Sequence, residues 1–235
     1  MVSNNHFASF WSDITFVQAV SLGNFCHSAQ ILKDLGYRVF SGPFDWIFSN
    51  PRALSHILND DFKVFLDRSH YYPVPVHERK VPEANFCEHL FYKQNYGVHH
   101  LFNHHLPNEE HDYFHYLQAV EEFRFTLKSS EPILYLIVSN HPIGLDQYLE
   151  LVKSLDSYGG TYRLLAIHFK LATEAISSTL GENVSTIHHD EKLLLVDFKV
   201  KGLSIGNTFT DAEDNLRFAD FLRSFKVGSS ANKAN

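Results

Sequence analysis

Apolar and polar positions follow two rhythms along this chain, one of period two and one near 3.6. Residues 15 to 22 are mostly apolar with β-branched content, a run short enough for a buried strand. From 26 to 35 the rhythm changes. Ala29, Ile31, Leu32 and Leu35 share one helical face, and Gly36 marks the stop. Pro51 sits at a first helical position and opens a helix through Ile57 and Leu58. Residues 70 to 83 carry Pro73, Pro75 and Pro82 and predict an extended, irregular connection. Residues 86 to 103 alternate in part and predict one or two strands. Helical spacing returns at 110 to 128 with Phe114, Leu117, Val120, Phe123 and Leu127.

The second half is more regular. Ile133 to Ser139 predicts a strand, Leu145 to Tyr158 a helix ended by Gly159-Gly160, and Tyr162 to Phe169 another strand. A helix is expected over 171–180. Val184–His188 and Leu193–Val200 read as strands, paired as a hairpin around His189-Asp190-Glu191. Asp211 caps a helix through Phe225. Strand and helix thus alternate at parallel-crossover lengths. The expected fold is a single α/β domain over residues 1–227, with a mainly parallel central sheet of five or so strands and helices on both faces. Residues 1–12 read as a loose or docked leader, and 228–235 as a small, polar, disordered tail.

Composition narrows the function. The chain has 235 residues, 44% hydrophobic and 20% charged, which suits one sizeable core; its 21 Phe predict an aromatic-rich one. The formal net charge of −7 and the lack of a Lys/Arg cluster argue against a nucleic-acid partner. No run approaches the length of a spanning helix. Two cysteines, Cys26 and Cys87, are too few for a disulfide framework, and no secretory signal is visible. A reducing, cytoplasmic setting is expected.

Cys26 carries the chemistry. It follows a strand and a Gly turn and begins a helix, where N–H groups and the helix dipole favour a thiolate. A nucleophilic cysteine needs a base and a group to hold the base. Sixteen histidines offer many candidates. The Cys26 N–H with the Asn24 amide, after the Gly23 turn, could bind an oxyanion. Ser139 and Asn140 lie past a strand, at the sheet edge where α/β folds bind ligands. Six histidines between 99 and 115 raise the question of a metal, but no H-E-x-x-H and no Cys pair at ligand spacing accompanies them. No metal and no cofactor are expected. P-loop, dinucleotide and G-x-S-x-G motifs are absent.

The run Ser21-Leu22-Gly23-Asn24-Phe25-Cys26-His27-Ser28-Ala29, followed by Pro43-Phe44-Asp45-Trp46, resembles a domain-of-unknown-function family that carries the label "putative papain-like cysteine peptidase". Phe102-Asn103-His104 resembles that family's later F-x-H-D motif, with His105 in place of Asp. The resemblance spans roughly residues 15 to 140. It implies a cysteine hydrolase with Cys26 as nucleophile and His104 as base, acting on a peptide or a small acyl or glycan substrate; Asp45, a carboxylate between two aromatic residues, would serve as the orienting group that holds the His ring or as a cap of the next helix. It also implies a papain-like α+β fold, the alternative to the parallel sheet read from the pattern. Two other functions fit the residues: an acyl- or glycosyl-transferase of bacterial polysaccharide assembly, and a non-catalytic binding module. Oligomeric state is not legible.

Overall fold

In the computed structural model, which describes residues 10–79, 81, 84–177 and 179–228, the elements run as follows. Strands β1 (Thr15–Phe16) and β2 (Gln18–Ser21) lead to helices α1 (His27–Asp34) and α2 (Pro51–Asn59). Strands β3 (Tyr71–Pro73) and β4 (Cys87–His89) precede α3 (Leu90–Tyr96) and α4 (Glu110–Leu127). Then come β5 (Ile133–Ser139), α5 (Leu145–Asp156), β6 (Tyr162–Leu171), β7 (Val184–His189), β8 (Leu193–Val200), α6 (Ala212–Arg223) and β9 (Lys226–Val227). Most of the leader expected over 1–12 and, apart from Gly228, the tail lie outside the described residues.

The central sheet has five strands in the order β2-β5-β6-β8-β7. Its first four strands are parallel, and β7 returns antiparallel against β8 as the expected hairpin. The fold is therefore α/β with a mostly parallel sheet. Helices cover both faces because the strands are apolar on both. Along β5, Ile133, Tyr135 and Ile137 join one core with α2, α4 and α5, while Leu134, Leu136 and Val138 join the other with α1 and α6. The first core is rich in aromatics. Phe44 lies 5.2 Å from Phe123 and 5.8 Å from Phe62 between ring centroids.

Helix α1 ends as its sequence dictates. Gly36 adopts φ +69°, and Tyr37 N–H donates to Leu32 O at 2.9 Å, closing a Schellman motif. Helix α2 starts with Pro51, and the Asn50 side chain accepts the Ala53 N–H. Asp211 caps α6 by accepting the N–H groups of Glu213 and Asp214.

Two expectations are corrected. Residues 90–96, read as strand, are helix α3; Cys87–His89 pairs with Tyr71–Pro73, and Phe102 adds isolated bridges to Ile47 and Cys87. No helix forms over the described residues of 171–180. There the Asn183 side chain accepts the Ser177 N–H and donates to the carbonyls of Ser177 and Thr179, so a side-chain staple replaces helical bonds. Among the described residues, no helix is long and apolar enough to cross a membrane.

Candidate active site at the C-terminal edge of the sheet

Strand β2 delivers Cys26. After Ser21 the chain makes two left-handed residues, Gly23 at φ +76° and Asn24 at φ +73°. A Cβ at position 23 would lie 2.8 Å from Phe44 O, so the turn needs glycine both for its dihedral and for its close packing. Ser49 Oγ accepts the Asn24 N–H at 2.8 Å, and Ser21 Oγ accepts the Gly23 N–H at 3.1 Å. Cys26 then enters α1 at its N-cap position, 3% exposed, with its sulfur on a cleft.

A separate segment delivers His104. Phe102 forms antiparallel bridges to Ile47 on one side and Cys87 on the other, fixing the chain two residues ahead of the imidazole. Just upstream, the buried Glu88 accepts the His100 N–H at 2.6 Å and pairs with Lys93 at 3.0 Å. From this platform His104 Nε2 reaches 3.3 Å from Cys26 Sγ. The Asn103 amide nitrogen completes a triangle with them, 3.8 Å from the sulfur and 3.2 Å from Nε2. Trp46 packs edge-on against the His104 ring, centroids 6.1 Å apart. Together with Ile205 and Asn207 these groups line a cleft of about 470 Å³.

Asp45 does not hold the histidine, which corrects the orienting role expected of it. Its carboxylate accepts from Arg38 Nη1 at 2.6 Å and from the Gly42 N–H at 3.0 Å. Arg38 in turn lies over the Trp46 ring at 5.7 Å. Asp45 therefore reaches His104 only through Arg38 and Trp46. Among the described residues no carboxylate pairs with the His104 ring.

The oxyanion donors also differ from expectation. The Asn24 side chain points away, donating to Val138 O at 2.6 Å and so tying the turn to the neighbouring strand. Gly23 N–H is likewise spent inside the turn. The amide that faces the sulfur is Asn103, a position the sequence reading passed over although it lies beside His104 in the same motif. Asn140 grips the backbone of Ser204, donating to its carbonyl at 2.9 Å and accepting its N–H at 3.1 Å. Ser139 Oγ accepts the His141 N–H. These two residues line an adjoining cavity of about 420 Å³, outside the Cys26 cleft. The far wall of the cleft, residues 205 to 207, carried no sequence signal.

Electrostatics keep the resting pair neutral. Burial pushes the Cys26 thiol up from its ordinary value; the Asn103 amide and the residue's own N–H oppose this, and the Asp45 charge adds to it. The thiolate preference expected from the helix N-terminus is thus outweighed by desolvation. Burial also lowers the His104 imidazole. Cys87, fully buried, is pushed up to about 12, chiefly by burial. His105 lines the same cleft with Nδ1 3.1 Å from Tyr116 Oη. His27 turns away to Ser204 Oγ at 2.8 Å, inside an aromatic box of Phe169, Phe209 and Phe218. Among the described residues, no three His, Cys, Asp or Glu side chains converge to hold a metal.

The buried histidines predict acid lability. Burial lowers His27 and His89 to about 4, against an unfolded value near 6.5. The unfolded chain then binds more protons between those pH values, so stability falls as pH falls, by on the order of 3 kcal/mol per group. Asp45, raised by burial to about 6, works oppositely over the range from about 6 down to about 4, by a similar amount. A net loss remains. The urea midpoint should drop clearly between pH 7 and pH 4.5, and a flat or rising midpoint would contradict it.

A protein-family model described as "putative papain-like cysteine peptidase" matches residues 17–157, a span that holds Cys26, Asp45, Asn103 and His104. No curated protein and no solved structure matches the chain.

Proposed function

The chain belongs to the family described as putative papain-like cysteine peptidases, and from that premise we propose that it is a cysteine-dependent acyl hydrolase using Cys26 as nucleophile and His104 as base. The observation that carries this reading is the 3.3 Å contact between Cys26 Sγ and His104 Nε2 in an open cleft. A buried, neutral thiol is a poor nucleophile unless its proton has somewhere to go, and Nε2 is within transfer distance.

The proposed reaction runs as acyl transfer through the cysteine. Sγ attacks the carbonyl carbon of the substrate while the thiol proton passes to Nε2. The Cys26 N–H and the Asn103 amide donate to the oxyanion as it forms. Collapse of the tetrahedral species breaks the bond to the leaving group, which takes the proton from the imidazolium. Water then attacks the thioester, giving a proton to Nε2; the C–S bond breaks, the carboxylic acid leaves, and the thiolate takes the proton back from the imidazolium. Asp45 acts at a distance. It clamps Arg38 over Trp46, and Trp46 limits the swing of the His104 ring.

Intact-mass analysis with an activated ester, together with iodoacetamide labelling from pH 5 to 9, tests the reading. An acyl adduct should form on the wild-type chain and on Cys87→Ser, and be lost in Cys26→Ser with the fold retained. Cys26 should label much faster than Cys87 at neutral pH. Equal, slow labelling of both thiols, or an adduct that survives in Cys26→Ser, would overturn it.

A further inference from the structure

The cleft at Cys26 is one half of a longer depression. The adjoining cavity, on the side of Phe25, Phe48 and Ser139, meets it along Ile205 and Gly206. Ile205 is thus the ridge between the two. Ile205 is 68% exposed. The turn is firmly held. Ser204 and Phe209 form an antiparallel bridge, Ile205 N–H donates to Thr208 O at 2.9 Å, and Ser204 is gripped by both Asn140 and His27. An exposed isoleucine on a floppy loop would mean little. One pinned beside a candidate nucleophile, between two cavities, presents a fixed apolar edge to whatever binds.

Charge is the second observation. Among the described residues, neither cavity is lined by an Asp, Glu, Lys or Arg. Asp45, the ionisable group that bears on the Cys26 thiol electrostatically, is 1% exposed and neutralised by Arg38. The lining polar groups are amides, two serine hydroxyls and imidazoles, beside the Cys26 thiol and the Trp46 indole. Such a surface hydrogen-bonds to a neutral chain but offers no ionic partner for a free carboxylate, a free amine or a charged side chain. A charged group entering here would lose water and gain no counter-ion.

Resting on the hydrolase reading above, we infer that Ile205 is a specificity-determining residue, and that the site takes an acyl substrate that is uncharged on both sides of the scissile bond, with an apolar group packed against Ile205 and Trp46. A peptide would be attacked at an internal bond between neutral residues, not at a charged terminus.

Peptidyl vinyl sulfones provide the probe. The thiol adds across the C=C bond: Sγ bonds to the alkene carbon β to the sulfone, the one that carries the peptidyl group, and the thiol proton ends on the carbon next to the sulfone. The series comprises an N-acetylated aliphatic probe and its analogues with Asp or Lys beside the electrophile. Rates of adduct formation at Cys26 of the full chain are each divided by that protein's own iodoacetamide rate, which needs no subsite. The neutral probe should react faster than either charged one by about tenfold or more. Ile205→Gly should slow the aliphatic probe by about tenfold, and Ile205→Lys should favour the Asp probe over the Lys probe. Equal normalised rates across the wild-type series, or an Ile205→Lys profile identical to wild type, would overturn the inference while iodoacetamide labelling of Cys26 still upheld the nucleophile. Failure of iodoacetamide to label Cys26 would overturn both.

Discussion

Replacing His104 with Ala should slow acylation of Cys26 by about 10²–10⁴-fold at neutral pH. The size of the effect follows from the thiol's surroundings. Burial holds Cys26 in its protonated form, so at pH 7 the free thiolate is scarce and the base must make it during attack. Among the described residues, no other histidine bonds to the Cys26 sulfur. His27 is turned into an aromatic box with Ser204, and His105 is bonded through Nδ1 to Tyr116. The deficit should shrink as pH rises toward the thiol's own ionisation, because hydroxide then does the work of the imidazole. His104→Gln should share the loss, since an amide cannot take the proton. Rates of ester turnover between pH 6 and 10 would show it. A His104→Ala variant with wild-type rates and an unchanged pH profile would remove the histidine from the proposed mechanism.

Replacing Asp45 with Ala should destabilise the fold by about 3–5 kcal/mol at pH 7.5, where the carboxylate is ionised. The pair with Arg38 is mostly buried, and its loss leaves a guanidinium with no counter-ion and the Gly42 N–H with no acceptor. Asp45→Asn tests charge at constant shape. Adding Arg38→Ala should recover part of the loss, because the stranded cation goes with it; the double-variant cycle then reads the coupling directly. Urea unfolding measures each step. A loss below about 1 kcal/mol for Asp45→Ala would show that the pair is dispensable. The same variants should slow Cys26 modestly if Trp46 restrains His104 through Arg38, and that slowing should exceed any change in iodoacetamide labelling.

The sheet was legible because its strands are apolar on both faces and bounded by helices of clear period. Ile133–Ser139 and Leu193–Val200 admit no other assignment. Where period alone had to decide, it failed in both directions. Phe91, Tyr92 and Tyr96 fit a strand as well as a one-sided helix, and tertiary packing chose the helix. Ala172 to Ala175 favour a helix locally, but Asn183, eight residues past Ala175, captured the loop instead. The site divides in the same way. The turn at Gly23 and the helix start at Cys26 are local and could be read. The approach of His104 came only through a motif, since 78 residues separate it from Cys26. Arg38 as the partner of Asp45, Asn103 as the amide at the sulfur, and the ridge at Ile205 are tertiary facts with no local signature.

Cys87 gives this protein an internal gauge of its own breathing. It is fully buried, and its backbone exchanges two hydrogen bonds with Phe102, at 2.9 and 3.1 Å, in the platform that presents His104. A reagent can reach that thiol only when the platform opens. In a Cys26→Ser background, the labelling rate of Cys87 is therefore the intrinsic rate for an exposed thiol multiplied by the equilibrium constant for opening. The observed rate divided by the intrinsic one is that constant, −RT times its logarithm is the free energy that keeps the histidine wall shut, and its response to a bound ligand measures how tightly occupancy of the cleft couples to closure of that wall. A spectator thiol thus reports on the segment that presents His104.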